Sequence, residues 1–589
     1  MIPIKKAVLL SIAIIAIVGA FSYLPSLRNN FLEIDDTVLV TENPFVVKAS
    51  PNKIGDLFLK PYMGLYHPLV TLSYMIEYRA FGMNPSAFHA TNLALHIFIS
   101  ILVYLLFLKT AFPLRVSLFA ALVFAAHPVH VESVAWISER KDLLSAFFYL
   151  ISLLAYLNYL DRRDKKYLYA SAFIFALSLL SKPMAVTLPA ALILLDYLRE
   201  RKDVSKILLE KLPFFALSAL FTFIALRAQY STEFYSGPLF AGGIASQALF
   251  AAFGLLFYAG KFVAPVGLSF VYPFKAGNIS AAAGIVSLAA LCLIAAVMLT
   301  KYRNNRRAVF GALFFVITLA PVLQLIPFGI GTHADRYLYL PSVGLLFILS
   351  AALSTIDSAG AKRLLTTAGV VCVLLLSAAT WKTASLWHDS ITLLNNAITK
   401  YPLSEIALCM RGDIYNRRGD NVSALRDYEL ALTANPKYAP AHNSMGGLFH
   451  SSGENEKAFQ AYTEALRANP FFTKAYARRA ALLSEQGNYK AALRDYSAFL
   501  ELNPRSWQEW VTRGVLYGKL GDFRQATADF TKALEIKPYS TEALQNRAYA
   551  FFYAGEYQKS WDDVLTLRQI SGSVNPEFQK ALENKLKPR

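Results

Sequence analysis

Long apolar runs are concentrated in the first two thirds of the chain. Residues 7–24, 142–160 and 364–379 are examples. Each run approaches the roughly 20 residues that a helix needs to cross the hydrocarbon core of a bilayer. Backbone amides can be satisfied in hydrocarbon only if such a run is helical. The pattern therefore predicts an all-α protein that begins with a polytopic transmembrane domain over residues 1–383.

The connections between the apolar runs indicate the topology. Five of them are rich in lysine and arginine, namely 109–115, 162–166, 199–206, 301–307 and 362–363. Because positively charged loops stay in the cytoplasm, we expect these connections, Lys5 and Lys6 to be cytoplasmic. About eleven crossings follow, near 7–24, 89–110, 115–127, 142–160, 167–181, 183–199, 211–228, 281–300, 308–328, 337–356 and 364–381. The run 245–267 would break the alternation, and Lys261 and Pro265 interrupt it, so we expect it to be re-entrant or interfacial.

The last third of the chain repeats with a period of 34 residues. Prolines recur at Pro402, Pro436, Pro470, Pro504 and Pro538, and glycines at Gly419, Gly453, Gly487, Gly521 and Gly555. This pattern resembles the tetratricopeptide repeat, in which glycine makes the turn between two helices and proline ends the second helix. We predict an α-solenoid over 384–574, with units near 405–438, 439–472, 473–506, 507–540 and 541–574, followed by a tail over 575–589.

The solenoid is expected to present a concave face to a partner. That partner is either an acceptor polypeptide or another protein that the repeats recruit. Charged residues of the repeats are candidates for this groove or for a merely solvated face; they are Arg478, Arg479, Arg494, Asp495 and Arg513.

The composition excludes several classes of protein. The net charge of +18 would suggest nucleic-acid binding in a soluble protein, but much of the basic excess lies in short loops, and we predict no nucleic-acid partner. Cys292, Cys372 and Cys409 provide neither a disulfide framework nor zinc spacing. The first apolar run is long and lacks a small-residue cleavage site, so we expect it to remain as the first helix.

Acids, histidines and isolated cations fall in the connections opposite the basic loops. They are Glu33, Asp35, Asp36, His67, Arg79, His127, His130, Glu132, Arg140, Lys141, Lys182, His333, Asp335 and Arg336. Polar groups gathered at one surface of a membrane protein indicate a functional site there.

Five segments resemble one known family. They are LEIDDTVLVTENP at 32–44, YHPLVTLSY at 66–74, FHATNLALH at 88–96, HPVHVESVAWISERKDLL at 127–144 and DRYLYLPSVG at 335–344. The family is that of the transmembrane and tetratricopeptide repeat-containing (TMTC) O-mannosyltransferases, which have the GT-C architecture. The resemblance implies transfer of mannose from a polyprenyl-phosphate carrier to protein serine or threonine. His67 stands where the family usually has an arginine.

The same residues suit that chemistry. A hydroxyl that attacks a sugar carbon needs a general base within hydrogen-bond reach, and we assign Asp35 to this role. Asp36 would position the acceptor or raise the proton affinity of its neighbour by like-charge repulsion. A single base fits one displacement with inversion at the sugar carbon. The alternative is that both aspartates cap a helix in a solvated loop.

Cations are needed for the charge that develops on the leaving phosphate. The candidates are Arg336, Lys182, Arg140 and Lys141; we favour Arg336 and Lys182, and the alternative is interfacial anchoring. The residues expected to receive the acceptor or shape the loops are His67, His127, His130, Glu132 and Asp335. No cofactor or metal is predicted, although imidazole and carboxylate at His127, His130 and Glu132 would suit Mn or Zn.

The sequence therefore predicts a membrane glycosyltransferase that uses a polyprenyl-phosphate sugar, contacts membrane lipid and acts on the outer or lumenal side. A non-catalytic scaffold for envelope assembly, a transporter, and an enzyme that glycosylates a lipid or glycan are the alternatives. The short loops favour a bacterial inner membrane with periplasmic repeats; the alternative is the endoplasmic reticulum with lumenal repeats.

Overall fold

A computed structural model describes residues 4–48, 54–229, 243–273, 279–324, 333–571 and 574–586. Within these ranges the chain is helical and has no strand, apart from one bridge between Tyr62 and Leu65. The helices of the first part are α1 Ile4–Tyr23, α2 Pro44–Val47, α3 Ile54–Leu59, α4 Pro68–Phe81, α5 Pro85–Lys109, α6 Leu114–Ala126, α7 Val131–Ala135, α8 Arg140–Arg162, α9 Lys165–Ser181, α10 Leu188–Leu198, α11 Val204–Gln229, α12 Gly243–Val263, α13 Ala281–Lys301, α14 Arg306–Leu319, α15 Ser342–Leu353, α16 Ala359–Ser385 and α17 Ser390–Lys400.

The chain is a multi-pass membrane protein. Seven helices in the described part are long and apolar enough to cross a bilayer, namely Lys5–Arg28, Pro85–Lys109, Ile137–Arg162, Val204–Ala228, Gly243–Val263, Ala281–Lys301 and Ala359–Ser385. An eighth is present if Leu114–Ala126 and Pro128–Ala135, which meet at a bend of 48°, form one span.

This number is smaller than the eleven crossings expected from the sequence. The helices α9, α10, α14 and α15 contain 17, 11, 14 and 12 residues, at or below the lower limit of about 17 residues for a helix that crosses the hydrocarbon core alone. Short turns of 3₁₀ helix separate some of them from the neighbouring apolar sequence. The end of the predicted span 308–328 lies outside the described residues. Hydropathy detects the apolar residues but not these breaks.

The run 245–267 also differs from its expectation. Helix α12 is continuous for 21 residues and is one of the seven candidate spans. Lys261 lies in its last turn and donates hydrogen bonds to the carbonyls of Val266 and Gly267, at 2.7 and 3.1 Å. Pro265 follows the helix. Neither residue interrupts the helix, so the break expected at Lys261 and Pro265 is absent, and the re-entrant or interfacial placement stays a prediction.

The basic connections meet at one end of the helices. Lys109 Nζ lies 3.0 Å from a carboxylate oxygen of Asp161, and Arg199 forms a second ion pair with that carboxylate, also at 3.0 Å. Arg307 donates to the carbonyl of Ala111 at 2.8 Å. The loops that carry the acids and histidines lie at the opposite end.

Two of the shorter helices approach each other closely. In α14 and α15, a Cβ atom built on Gly344 would lie 2.5 Å from the carbonyl oxygen of Gly311 and 2.6 Å from the amide nitrogen of Phe315. Only glycine fits at this crossing, which packs two short helices tightly together below the site end.

The last part of the chain consists of helical hairpins in the predicted phase. The pairs are Glu405–Arg417 with Asn421–Ala434, Ala439–Ser451 with Asn455–Ala468, Thr473–Glu485 with Tyr489–Leu502, Trp507–Lys519 with Phe523–Ile536, and Thr541–Tyr553 with Tyr557–Ser571. The five turn glycines all have φ between +75° and +81°, which L-residues other than glycine rarely adopt. The tetratricopeptide arrangement is therefore confirmed.

Three arginines one repeat apart make the same set of contacts. Arg513 donates through Nε and Nη2 to the two oxygens of Asp529, both at 2.8 Å, and through Nη1 to Ser497 Oγ at 2.9 Å. Arg479 makes the same contacts one repeat earlier, with Asp495 and the Thr463 hydroxyl. Arg547 makes them one repeat later, with Asp563 and the Thr531 hydroxyl. Thus Arg479, Asp495 and Arg513, considered as groove residues, are engaged inside the stack, whereas Arg478 and Arg494 are exposed.

The described residues form two compact units that divide between Ile414 and Tyr415. The predicted boundary at residue 383 falls in the last turn of α16. The segment 575–589, predicted as a tail, contains the helix Pro576–Leu586, whose Leu582 is buried against the last hairpin.

Candidate active site

Asp36 joins the first outer loop, which the sequence predicts over residues 25–88, to the start of α8. One carboxylate oxygen accepts from the backbone N–H of Leu32 at 2.8 Å, and the other accepts from the N–H of Ser138 at 2.9 Å and from the Ser138 hydroxyl. The side chain is fully buried. Burial raises the pKa of Asp36 to about 6, and the hydrogen bonds from Leu32 and Ser138 oppose that rise. Asp36 therefore fixes the position of the loop rather than presenting a free carboxylate.

Asp35 has the opposite environment. It is half-buried, and within the described residues its carboxylate makes no hydrogen bond or ion pair. Burial raises the pKa of Asp35, Lys141 and Arg336 lower it, and Glu139 raises it. Of the two aspartates, Asp35 is the one free to accept a proton from a bound hydroxyl.

Three cations from three separate elements converge on Glu139, and two of them, Lys141 and Arg336, act on the Asp35 carboxylate. Glu139, in the turn that precedes α8, places one oxygen 3.0 Å from Lys141 Nζ and 3.3 Å from Arg336 Nε. Its other oxygen lies 3.9 Å from Lys182 Nζ. Lys182 follows α9, and Arg336 lies in the turn Asp335–Leu338.

Two of these cations have a second anionic partner. Arg336 pairs with Glu132 through its guanidinium and also donates its backbone N–H to Glu132 at 2.9 Å. Lys182 pairs with Asp142. Both cations are thus held in place independently of Glu139.

Arg140 is separate from this group. Its guanidinium is fully buried and donates to Asn92, to Glu77 and to the carbonyl of Phe88, while its plane lies 4.7 Å from the ring centroid of Tyr74. These contacts tie α8 to α4 and α5. Arg140, predicted as a phosphate ligand, is engaged in holding helices together.

His67 lines a small cavity next to Lys141. Tyr62, Leu65, Thr71 and Ser138 are among the other lining residues. Burial lowers the pKa of His67, and the nearby charges of Lys141 and Lys182 act in the same direction, so that the pKa is about 3. The imidazole is therefore neutral and can offer or accept a hydrogen bond in the cavity.

His127 and His130 shape the bend between α6 and α7. The ring of His127 contacts the carbonyl of Phe262 at 2.9 Å and accepts from the N–H of Val129. The ring of His130 contacts the carbonyl of Phe124 at 2.9 Å and the Ser342 hydroxyl at 3.1 Å. Both nitrogens of each ring are occupied by protein. In the part of the chain that the structure describes, no group of three or more histidine, cysteine or acidic residues is arranged to hold a metal ion.

Asp335 also has a positioning role. It accepts from the Tyr272 hydroxyl at 2.7 Å and from the N–H of Ser269 at 3.2 Å. Burial raises the pKa of Asp335 to about 8, and the neighbouring charge of Glu132 contributes in the same direction. These bonds connect the segment after α12 to the turn that carries Arg336.

Sequence analysis missed Ser138, Glu139 and Asp142, which are central to the site. They lie in the turn that also supplies Arg140 and Lys141. Alternate residues of this turn point in different directions: Ser138 and Arg140 contact buried partners, whereas Glu139 and Lys141 face the cations and Asp35. The run ISERKD at 137–142 shows in the sequence that polar and charged residues cluster here. Which of them contact buried partners and which face the site is visible only in the structure.

The arrangement combines a free carboxylate with a set of half-buried cations. The carboxylate can take a proton, and the cations can stabilise negative charge on a departing oxyanion.

Part of the membrane domain matches the model of a known enzyme family. Residues 68–230 match the model of the dolichyl-phosphate-mannose-protein mannosyltransferases, and residues 383–440, 409–471 and 479–550 match tetratricopeptide repeat models. The human protein O-mannosyl-transferase TMTC1 is 25% identical over 502 residues, which cover 74% of this chain and 56% of that protein. The chain is similar to the TMTC protein O-mannosyl-transferases over most of its length.

Other TMTC relatives agree. Human TMTC4 is 27% identical over 67% of this chain and 62% of its own length, and the Caenorhabditis elegans protein O-mannosyl-transferase F38B6.6 is 25% identical over 71% and 61%. The chain thus spans about three fifths of the length of these TMTC relatives. Among solved structures, MamA and YrrB match the repeats with TM-scores of 0.26 and 0.29 and identities of 17% and 18%; they cover 31% and 32% of this chain and 97% of each matched chain.

Proposed function

We propose that this protein transfers mannose from a polyprenyl-phosphate carrier to the hydroxyl of a protein serine or threonine. The observation that carries the proposal is the unpaired carboxylate of Asp35, on which the charges of Lys141 and Arg336 act. These two cations and Lys182 surround Glu139. The mannose and the protein acceptor are taken from the names of the TMTC relatives, which are protein O-mannosyl-transferases.

The reaction is a single displacement. The acceptor oxygen attacks the anomeric carbon of the mannose and forms the new glycosidic bond, while the bond from that carbon to the phosphate oxygen breaks. The acceptor proton passes to Asp35, and the leaving group departs as polyprenyl phosphate. Lys141, Lys182 and Arg336 stabilise the charge on that phosphate. Inversion at the sugar carbon follows from attack on the face opposite the leaving group.

The other partners and the location belong to the same proposal. The repeats bind the acceptor polypeptide or a protein that delivers it, and the carrier chain lies among the membrane helices. We place the membrane domain in a bacterial inner membrane with the repeats in the periplasm; an endoplasmic reticulum membrane with lumenal repeats is the alternative.

The test uses purified full-length protein in lipid, radiolabelled polyprenyl-phosphate mannose and an extract of outer-side proteins. Wild type should label protein, and Asp35→Asn should lower the rate by a factor on the order of 10² to 10⁴ with unchanged folding, because general-base catalysis contributes about that much. Asp56→Asn is a matched control in the same outer loop, because Asp56 pairs only with the exposed Lys60 among the described residues.

Two results would contradict the proposal. Full activity in Asp35→Asn would remove Asp35 as the base. No transfer by wild type from mannose, glucose or other carrier sugars, while the repeats still capture a partner protein, would favour the non-catalytic scaffold.

A further inference from the structure

Glu139 is the shared partner of the three cations, although nothing in the transfer reaction requires an anion at that place. Its carboxylate is buried, with 2% of the side chain exposed, and it contacts Lys141, Lys182 and Arg336. A fixed negative charge among phosphate-binding cations weakens their attraction for a phosphate. Because Glu139 weakens phosphate binding in this way, we looked for a role that would explain its presence.

Glu77 and Glu139 are both buried glutamates that pair with cations, but their surroundings differ. Glu77 pairs with one buried cation, Arg140, whose other donors are all satisfied by protein. Glu139, in contrast, lies between three cations from three different elements and shares its charge among all of them. One of its oxygens lies 3.0 Å from Lys141 Nζ and 3.3 Å from Arg336 Nε, and the other lies 3.9 Å from Lys182 Nζ.

We propose that Glu139 is a built-in counter-anion that holds the three cations in place while the site is empty and competes with the donor phosphate for them. The inference rests on the proposed function and deepens it by assigning a positioning residue. The donor phosphate displaces Glu139 from Lys141 and Arg336, and the carboxylate returns when polyprenyl phosphate leaves.

The surrounding ion pairs permit this exchange. When Glu139 is displaced, Arg336 is still held by Glu132 and Lys182 by Asp142. Those two cations therefore remain where the phosphate needs them. Lys141, whose ion pair in the described residues is with Glu139, is the cation that moves from one anion to the other.

Competition of this kind has a kinetic signature. A phosphate that must displace a carboxylate binds less tightly than the cations alone would allow, and it also leaves faster. Removing the competing charge should therefore tighten the binding of both donor and leaving group and slow turnover through product release. A purely structural glutamate would give the opposite result, because its loss would disorder the cations and weaken binding.

The test compares wild type with Glu139→Gln, Glu139→Asp and the control Asp161→Asn, which removes an exposed ion pair at the opposite end of the helices. The probe is a short-chain polyprenyl phosphate, titrated against full-length protein in nanodiscs, together with the KM and kcat for its mannosyl derivative. We expect Glu139→Gln to bind the probe about tenfold more tightly, because repulsion between two desolvated anions is relieved. Its KM and kcat should both fall, and Glu139→Asp, which keeps the charge, should restore wild-type values.

Equal or weaker binding by a folded Glu139→Gln would overturn the inference. If that variant fails to fold, Glu139→Met, which is also neutral and of similar length, is measured instead. Wild type that binds and transfers, with a neutral variant that binds no tighter, would remove the role of Glu139 and leave the proposed function intact. If no protein binds the probe, both proposals fail together.

Discussion

Two adjacent aspartates show how environment divides roles between identical side chains. Asp36 is buried and accepts three hydrogen bonds, from Leu32 and Ser138, whereas Asp35 is half-buried and accepts none from the described residues. The backbone turn at 35–36 directs one carboxylate into the protein and the other towards Lys141. The chemistry of the site therefore depends on a residue that is not itself available for chemistry.

Asp36→Asn tests this division. An asparagine has one carbonyl oxygen and one NH₂ group, so it cannot accept from both Leu32 and Ser138, and one buried donor loses its partner. A buried donor without a partner costs about 1 to 3 kcal/mol. We expect a lower unfolding temperature in detergent and a parallel loss of transfer activity, in contrast to Asp35→Asn. A variant that kept wild-type stability but lost activity would instead make Asp36 a catalytic group.

Asp335 gives a pH dependence with a definite sign. Burial raises its pKa to about 8 in the folded protein, above the ordinary 3.8. The protonated form is therefore favoured on folding, and its contribution to stability is complete below about pH 4 and is lost as pH rises to 8. Over that range the free energy of unfolding should fall by at most about 1.4 kcal/mol per pH unit from this group.

Asp335→Asn is the measurement that isolates the effect. The amide can accept from Ser269 and donate to Tyr272, so it mimics the protonated acid without titrating. Unfolding temperatures between pH 5 and 8 should decline less steeply in the variant than in wild type. Parallel curves would mean that Asp335 is ionised in the folded protein.

Residue types predicted the candidate site better than residue roles. The sequence placed Asp35, Lys141, Lys182 and Arg336 on one side of the membrane domain, and the structure brings them to one end of the helices. The sequence did not distinguish the role of Arg140 from that of Lys141, because two adjacent cations are equivalent in a sequence. In the structure only Arg140 points into the protein interior. Glu139 was missed for a similar reason: an acid between cations is an ordinary surface pattern in a sequence.

At the scale of elements, helix packing is limited by glycine where α14 crosses α15. A Cβ on Gly344 would meet backbone atoms of Gly311 and Phe315 at 2.5 and 2.6 Å, and backbone cannot move aside as a flexible side chain can. Gly344→Ala should therefore force the helices apart, at a cost of about 1 to 3 kcal/mol.

Gly260 provides the matched control. It lies in helix α12, and no atom lies within 4 Å of its added Cβ. Gly260→Ala should be neutral or stabilising by about 0.5 to 1 kcal/mol, since alanine is the better helix former. Thermal unfolding in nanodiscs measures both variants, and equal behaviour would show that the crossing is loose.

The repeats were predictable at this scale because their period is enforced by backbone geometry. A turn with positive φ recurs every 34 residues, and the glycines mark it directly. The membrane helices carry no such marker. Apolar composition continues through a 3₁₀ turn such as Pro183–Thr187, so the sequence joined segments that the structure divides. The described residues contain seven or eight candidate spans, where the sequence predicts about eleven crossings.

At the scale of the whole membrane unit, the charged ends of the helices determine orientation. Basic connections meet at one end and the candidate site lies at the other, so the positive-inside tendency predicts that the site lies outside the cytoplasm. Asp56, in the outer loop, and Asp164, in the connection between α8 and α9, are charged residues at the two ends.

Cysteine labelling tests this orientation. In a protein from which Cys292, Cys372 and Cys409 have been removed, Asp56→Cys should react with a membrane-impermeant maleimide added to intact spheroplasts. Asp164→Cys should react only in inverted vesicles or after permeabilisation. Reversed labelling would place the site in the cytoplasm and contradict an acceptor on the outer side.

The turn 137–142 has a further consequence for how such a protein can diverge. Ser138 and Arg140 secure the outer loop and two helices, while Glu139 and Lys141 face the charges of the site. Substitution at 139 or 141 changes the ligand that the site prefers and leaves the scaffold intact. Because this segment is helical, insertion of one residue would rotate the side chains after it by about 100° around the helix axis and would misplace both sets. Selection can therefore retune the specificity of descendants through two positions, provided that the length of this turn is inherited unchanged.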